Sequence, residues 1–393
     1  MMKMRFRLKI MKRKRCKIGA FTCAIVLLAA LFTVSARADE AISLPEQYEG
    51  FLESLDGSVS DRLTGGATSD DADSLHNAAQ ELTSPETVLS IILEAFNSQL
   101  CRALPRLAMI LGVVMISALC YSIGSHCSGG LSRAVDVCVR LCSFCAVAGI
   151  ALDSAETVKT YFERLFEAVA SFIPLGAAMY AMGGNLTSAS SSSATLGVTL
   201  AVCQFVCGYT VIPVFCICLC TSLFSVFGGA SASLGATVGG SVRKWYTTAM
   251  AFVMMILTVS ISSQSILSAK ADNAAMRGAK FAVSNFVPLF GGTLSGTLGT
   301  LSSSVELLRG SVGIIGIAAI FLMLLPTVIE LALMRAAFSI GCFCAGMVGC
   351  ANEQKIMNEV GALYGYLEGA ALMCSAVFII AFGIFAASVT PFS

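Results

Sequence analysis

The stretch Ser311–Met334, SVGIIGIAAIFLMLLPTVIELALM, decides the fold. It holds a single charged residue, Glu330. At 1.5 Å of rise per residue, a helix of this length crosses the roughly 30 Å of hydrocarbon in a bilayer. Comparable apolar runs occupy 105–123, 134–152, 165–182, 196–227, 245–268, 336–350 and 366–389. Composition agrees, with 56% hydrophobic and 12% charged residues. Soluble domains carry about 25% charged residues, and a chain this poor in charge cannot coat a water-facing surface. The pattern predicts an all-α polytopic membrane protein with about seven or eight transmembrane helices over residues 105–393. Two runs are irregular. Gly208 and Pro213 sit inside 196–227, which reads as one long kinked crossing or a tight hairpin. The run 336–350 is short for a crossing.

The N-terminus reads as a signal sequence over residues 1–38. Basic residues crowd positions 3–17, an apolar stretch runs from Ile18 to Val34, and Ala36-Arg37-Ala38 has the small-x-small form of a cleavage site. Cleavage after Ala38 leaves Asp39 first; an uncleaved anchor is the alternative. Either way residues 39–104 form an exported region. Thirteen acids lie in 39–100, where Arg62 is the only base. Outside residues 1–38 the chain has 15 basic against 24 acidic residues, a balance of −9. The spacing of Leu44, Tyr48, Phe51, Leu52 and Leu55 predicts a short amphipathic helix. Ser84-Pro85-Glu86 starts another, with Pro85 suited to the first turn. The positive-inside rule does not assign sides to the later loops, because Arg243-Lys244 and Lys270, Arg277 and Lys280 flank the same run at both ends.

A weak internal repeat runs through the apolar body. Ala168–Leu175, AVASFIPL, resembles Ala282–Leu289, AVSNFVPL. Gly183-Gly184 follows the first copy and Gly291-Gly292 the second. Each then passes through a Ser/Thr/Gly-rich stretch into a run with a central proline, Pro213 or Pro326. The repeat units are 134–227 and 245–341. Proline and paired glycine interrupt helices, and in a membrane the freed backbone groups must be buried in protein or face water. Duplicated broken segments point to translocation paths in transporters. Phe172, Pro174, Gly183, Gly184, Phe286, Pro288, Gly291 and Gly292 are therefore candidate pore or re-entrant positions. Interfacial amphipathic segments are the alternative reading.

Ionisable residues at membrane depth are costly and mark function by default. The candidates are Asp136 and Arg140, spaced to pair on one helix face, with Glu330 and Arg335. Glu368 opens the last run; it, Glu330 and Arg335 also suit an interfacial position. Seventeen cysteines invite a metal or redox reading, but 39–100 holds none and most lie in apolar runs, where a thiol acts as a small hydrophobe. No metal site and no cofactor are expected. Walker A, dinucleotide-fingerprint and nucleophile-elbow motifs are absent, as is a basic aromatic face for nucleic acid. The chain is not expected to be an enzyme.

The stretch Lys280–Gly292, KFAVSNFVPLFGG, followed by Gly310–Gly316, GSVGIIG, resembles the stage III sporulation protein AE family of endospore-forming bacteria. These motifs fall within residues 240–340, and the order of signal, exported region and multi-span body carries the rest. The cysteine content departs from the family pattern. The resemblance implies a permease-like membrane subunit of the mother cell–forespore channel, a secretion-like apparatus required for endospore formation. It implies partners: the ring-forming stage III sporulation proteins AG and AH, the cytosolic ATPase AA, stage II sporulation protein Q, and membrane lipid. The implied location is the mother-cell membrane around the forespore, and no catalytic residues carry over. A stand-alone secondary transporter and a non-conducting membrane scaffold are the alternatives. If the long apolar runs lie in lipid, the expressed chain stays in the membrane pellet through alkaline carbonate washing and leaves it only with detergent. Recovery in the soluble fraction of lysed cells would overturn the membrane assignment.

Overall fold

The computed structural model describes residues 51, 53, 85–124, 126, 129–227, 232–286 and 291–387. The elements among the described residues are all helical: α1 (Pro85–Gly124), α2 (Gly129–Met182), α3 (Leu186–Cys203), a π-helical turn (Gln204–Tyr209), α4 (Val211–Phe227), α5 (Ala232–Phe286), α6 (Gly291–Val348) and α7 (Ala351–Ala387). Among the described residues, six helical stretches are long and apolar enough to cross a membrane. Residues 1–38, read from sequence as a signal, and most of 39–104, read as exported, lie outside the described residues.

Six stretches replace the seven or eight apolar runs because proline and charge do not end helices here. Runs 134–152 and 165–182 belong to one helix, α2, which continues through Asp153–Arg164 and Pro174. Runs 311–334 and 336–350 likewise merge in α6, which passes through Pro326. A proline inside a helix removes one backbone hydrogen bond, a loss that packing against neighbouring helices offsets. Helix α1 starts at Pro85, where the sequence signals a start, and runs on through Pro105. The expected boundary at 104/105 thus falls inside one helix. The run 196–227 is a single path, α3 into α4, and not a hairpin. Its π-helical turn coincides with Gly208 and precedes Pro213, whose missing N–H weakens the ladder there. The carbonyl of Val206 is taken up by two hydroxyls, Tyr246 Oη at 2.5 Å and Thr210 Oγ1 at 2.6 Å.

Two turns depend on glycine. Gly184 has φ 76° and closes α2: the N–H of Asn185 donates to the Tyr180 carbonyl at 3.0 Å, and that of Gly184 to the Ala181 carbonyl at 3.0 Å. Gly349, φ 83°, closes α6 in the same way, with Cys350 N–H donating to the Ala345 carbonyl and Gly349 N–H to the Gly346 carbonyl. Both are Schellman caps, in which a left-handed residue satisfies the last carbonyls of a helix. The Gly183-Gly184 pair therefore makes a helix–helix turn and not a break within a span. Asp272 of α5 caps the helix that follows, accepting from the N–H groups of Thr187 at 3.0 Å and Ser188 at 2.8 Å. A carboxylate at a helix N-terminus satisfies orphan donors and complements the dipole.

The core lies along α6 and α7, with α2 against both. Phe172 stacks on Phe382 with ring centroids 3.9 Å apart and meets Phe385 and Phe51 edge-on. Close approach of α6 to α7 requires glycine at two positions. A Cβ on Gly313 would lie 3.0 Å from the Ala386 Cα, and one on Gly316 would lie 2.6 Å from the Phe382 ring. Small residues let helix backbones meet in a setting where lipid supplies no hydrophobic drive between helices. Gly313→Val should lower the thermal stability of the detergent-purified protein by an overpacking cost of about 1–3 kcal/mol, while Gly310→Ala, in open space, should be close to neutral. Thermal melting of both variants checks this.

Candidate functional site

The most unusual feature of this apolar bundle is a charged layer across three helices. Arg106 of α1 donates through Nη1 to Glu330 Oε1 of α6 at 2.5 Å, and through Nη2 to Asp153 Oδ2 of α2. The side chains of Arg106, Asp153 and Glu330 are 27%, 63% and 9% exposed. Each residue lies about halfway along its candidate span: Val88–Gly124, Gly130–Met182 and Leu308–Val348. The local reasons are legible. Arg106 opens the apolar run of α1, Asp153 ends the first run of α2, and Glu330 lies one turn after Pro326. The antiparallel pairing of α1 with α2, held further up by a 2.8 Å contact between Ser117 Oγ and Ser143 Oγ, brings these ends into register. Beside the layer, Tyr364 of α7 donates to Ser154 Oγ at 3.0 Å.

A second polar cluster lies at the α1–α2 and α6–α7 turns. Arg140 grips Asp136 with two hydrogen bonds, one of them 3.1 Å long, and both side chains are partly buried. Glu353 is buried beside this pair and accepts from Tyr121 Oη at 3.1 Å. Arg335 pairs with Glu368 at 3.3 Å, and Gly365 leaves room for its guanidinium. The four intramembrane charges picked out by sequence are thus separated: Asp136 with Arg140 in one cluster, Glu330 in the charged layer, and Arg335 towards α7.

An open groove of about 600 Å³ lies between α1, α2 and α6, against the charged layer. Its wall includes Gln99, Arg102, Asp153, Glu156, Pro326 and Glu330. A smaller cavity of about 40 Å³ between α3, α5 and α7 is lined by hydroxyls, among them Ser188, Ser192, Thr195 and Ser268. The candidate pore positions fall elsewhere. Phe172 is buried in the aromatic core, Pro174 is exposed on α2, and Gly183 and Gly184 form the α2–α3 turn. Phe286 ends α5, Gly291 and Gly292 begin α6, and Pro288 lies outside the described residues. Sequence reasoning missed Gln99, Arg102, Arg106 and Asp153. The available signal was their place at the ends of apolar runs, where a charge reads equally well as an interfacial anchor. Among the described residues, no group of three or more His, Cys, Asp or Glu is placed to hold a metal ion.

A helical bundle of this apolarity, with an ion-bridged layer and a polar groove between its long helices, defines an all-α polytopic membrane protein. Residues 72–389, most of the chain, match the stage III sporulation protein AE family, and the chain belongs to that family. It is thereby a protein of stage III of sporulation. No curated protein and no solved structure matches it.

Arg106 holds Glu330 in a position that admits little water. Removing one partner of a buried pair strands the other charge, whereas removing both does not. Arg106→Met should cost about 3 kcal/mol of stability, and the double variant Arg106→Met/Glu330→Met should recover most of it. Thermal unfolding of the two single variants and the double variant in one detergent tests the coupling; a double-variant loss equal to the sum of the two single losses would show that the pair is uncoupled.

Proposed function

We propose that this chain is the permease-like membrane subunit of the channel between mother cell and forespore. It would stand in the mother-cell membrane around the forespore and carry no enzymatic activity. Its exported acidic segment would face the space between the two membranes. Ring-forming stage III sporulation proteins AG and AH and stage II sporulation protein Q would assemble on that side, and a separate cytosolic ATPase would supply the energy. Family membership supports the setting. The observation that carries the permease role is the groove beside Pro326, open to the Arg106–Glu330 bridge between α1 and α6. Glu330, with its side chain 9% exposed, is a charge held in the packed part of the bundle, and such a charge is costly and is retained where solutes or ions pass. A bundle that only anchored partners could fill the same space with apolar side chains at no loss of stability.

The same groove would also serve a stand-alone secondary transporter, so the decisive experiment must separate the two. The tagged chain is purified from sporulating cells, and a deletion strain is complemented with wild type or with Arg106→Glu. The expected result is co-purification with the ring proteins and the ATPase, forespores that shrink after engulfment in the deletion strain, and failure of Arg106→Glu to restore them while it still reaches the membrane. Solute uptake by the purified chain alone in vesicles, driven by an ion gradient and without partners, would favour the transporter.

A further inference from the structure

We infer that the groove between α1, α2 and α6 opens to the exported side of the membrane, and that the α1–α2, α4–α5 and α6–α7 turns stand together on the cytosolic side. This gives the side from which a solute enters the path of the permease reading. It rests on that reading for its biological use, and on the signal reading of residues 1–38 for the choice of side.

The first observation is that the helices alternate in direction. Helix α1 runs against α2: Arg106 meets Asp153, Ser117 meets Ser143, and a Cβ on Gly124 would lie 3.4 Å from the Val135 side chain. The α6–α7 turn lies at the same end, where Tyr121 Oη donates to Glu353. Helix α7 then runs back to the α2–α3 turn, with the Phe385 ring 5.2 Å from that of Tyr180. The α3–α4 path opposes α7, since Tyr366 Oη donates to the Val211 carbonyl at 3.2 Å. Helix α5 opposes that path in turn: Asp272 accepts from Thr187 and Ser188, and Cys218 Sγ donates to the Gly239 carbonyl at 3.7 Å. The three turns therefore share one end of the bundle. The start of α1, the α2–α3 turn and the last turns of α7 share the other.

The second observation fixes which end goes with the N-terminal segment. Phe51 is buried in the core and meets Phe172 edge-on, with ring centroids 5.6 Å apart. Phe172 in turn packs on Phe382 and Phe385, in the last turns of α7. Residues 54–84 hold six acids and no apolar run approaching the roughly 20 residues a crossing needs. Phe51 and the start of α1 are therefore on one side. A signal that carries residues 39–104 across makes that side the exported one. Basic residues alone do not choose, because Arg243 and Lys244 lie towards the α4–α5 turn and Lys270, Arg277 and Lys280 towards the opposite end.

The third observation is the place of the groove along the helices. Its α1 wall runs from Ile91 to Arg102 and its α2 wall from Asp153 to Arg164. Both walls lie on the exported side of the apolar runs 105–123 and 134–152. The α2 segment beyond Asp153 also presents Glu156, Lys159 and Glu163, with side chains 69%, 46% and 65% exposed. Charges so exposed and so close together face water, since in hydrocarbon each would be stranded. The groove is thus reached from the exported end. The Arg106–Glu330 bridge lies at its inner limit, and the two apolar runs continue from there towards the cytosol.

The test labels the full chain in its membrane with a membrane-impermeant maleimide. Glu156→Cys reports on the groove, Glu163→Cys on the exposed face of α2 beside it, and Lys355→Cys on the α6–α7 turn. All three positions are exposed, so the variants should fold. The modified residue is located by mass spectrometry, with the wild-type chain as control for its native cysteines. In intact protoplasts of non-sporulating cells, Glu156→Cys and Glu163→Cys should be labelled and Lys355→Cys should not. In inside-out vesicles the pattern should reverse. Labelling of Lys355→Cys from outside overturns the inference, as does labelling of Glu156→Cys only in inside-out vesicles. Labelling of Glu156→Cys only after detergent is added would place the groove against lipid and also overturns it. Partner co-purification is a separate readout: its loss would defeat the channel assignment and leave the labelling pattern as it is, whereas a reversed pattern would defeat the orientation and leave co-purification untouched.

Discussion

Three long helices of this bundle are tied together where Arg106 bridges Glu330 and Asp153. A charge in an apolar bundle is tolerable only when it is paired and hydrogen-bonded, because the low dielectric that strengthens the pair also penalises each partner alone. The bridge therefore fixes more than two contacts. It sets the register of α1 against α2 and of both against α6, since sliding any one helix by a turn would strand a carboxylate or the guanidinium. The groove lies against this layer, with Asp153, Glu330 and Pro326 among its lining residues.

The rest of the structure accommodates long helices in one bundle. Helices of 54, 55 and 58 residues are about 80 Å long, well beyond the roughly 30 Å of a bilayer's hydrocarbon. Such lengths require tilt or extension past the lipid. Small residues and short caps do the joining. Gly313 and Gly316 bring α6 onto α7, and the Schellman caps at Gly184 and Gly349 turn the chain within two or three residues. Asp272 serves the N-terminus of α3 from another helix, which ties α5 to the α2–α3 turn. At the π-helical turn, hydroxyls from Tyr246 and Thr210 both donate to the Val206 carbonyl.

The two copies of the sequence repeat fall at different places relative to the helix ends. The first lies in the C-terminal part of α2 and is followed by a glycine pair and α3. The second begins at the end of α5 and is followed by a glycine pair and α6. Their prolines differ in effect. Pro213 follows a π-helical turn, whereas α6 runs through Pro326 without interruption. Packing decides that difference: α6 lies against α7 and α1 along its length, and those neighbours hold it helical where the backbone alone would yield.

The membrane class, the helical content, the helix start at Pro85 and the family were legible in the sequence, because each depends on local runs of residue types. Apolar length gives a crossing, proline suits a first turn, and the Lys280–Gly292 motif is contiguous. The Asp136–Arg140 pair was legible for the same reason, being four residues apart on one helix. What the linear order could not supply was the number of helices, since whether a helix survives an internal proline or a charged interval depends on what packs against it. Nor could it supply the groove. Gln99, Arg102, Arg106, Asp153 and Glu330 come from three helices up to 231 positions apart, and only the tertiary register of α1, α2 and α6 brings these separate polar residues to one groove.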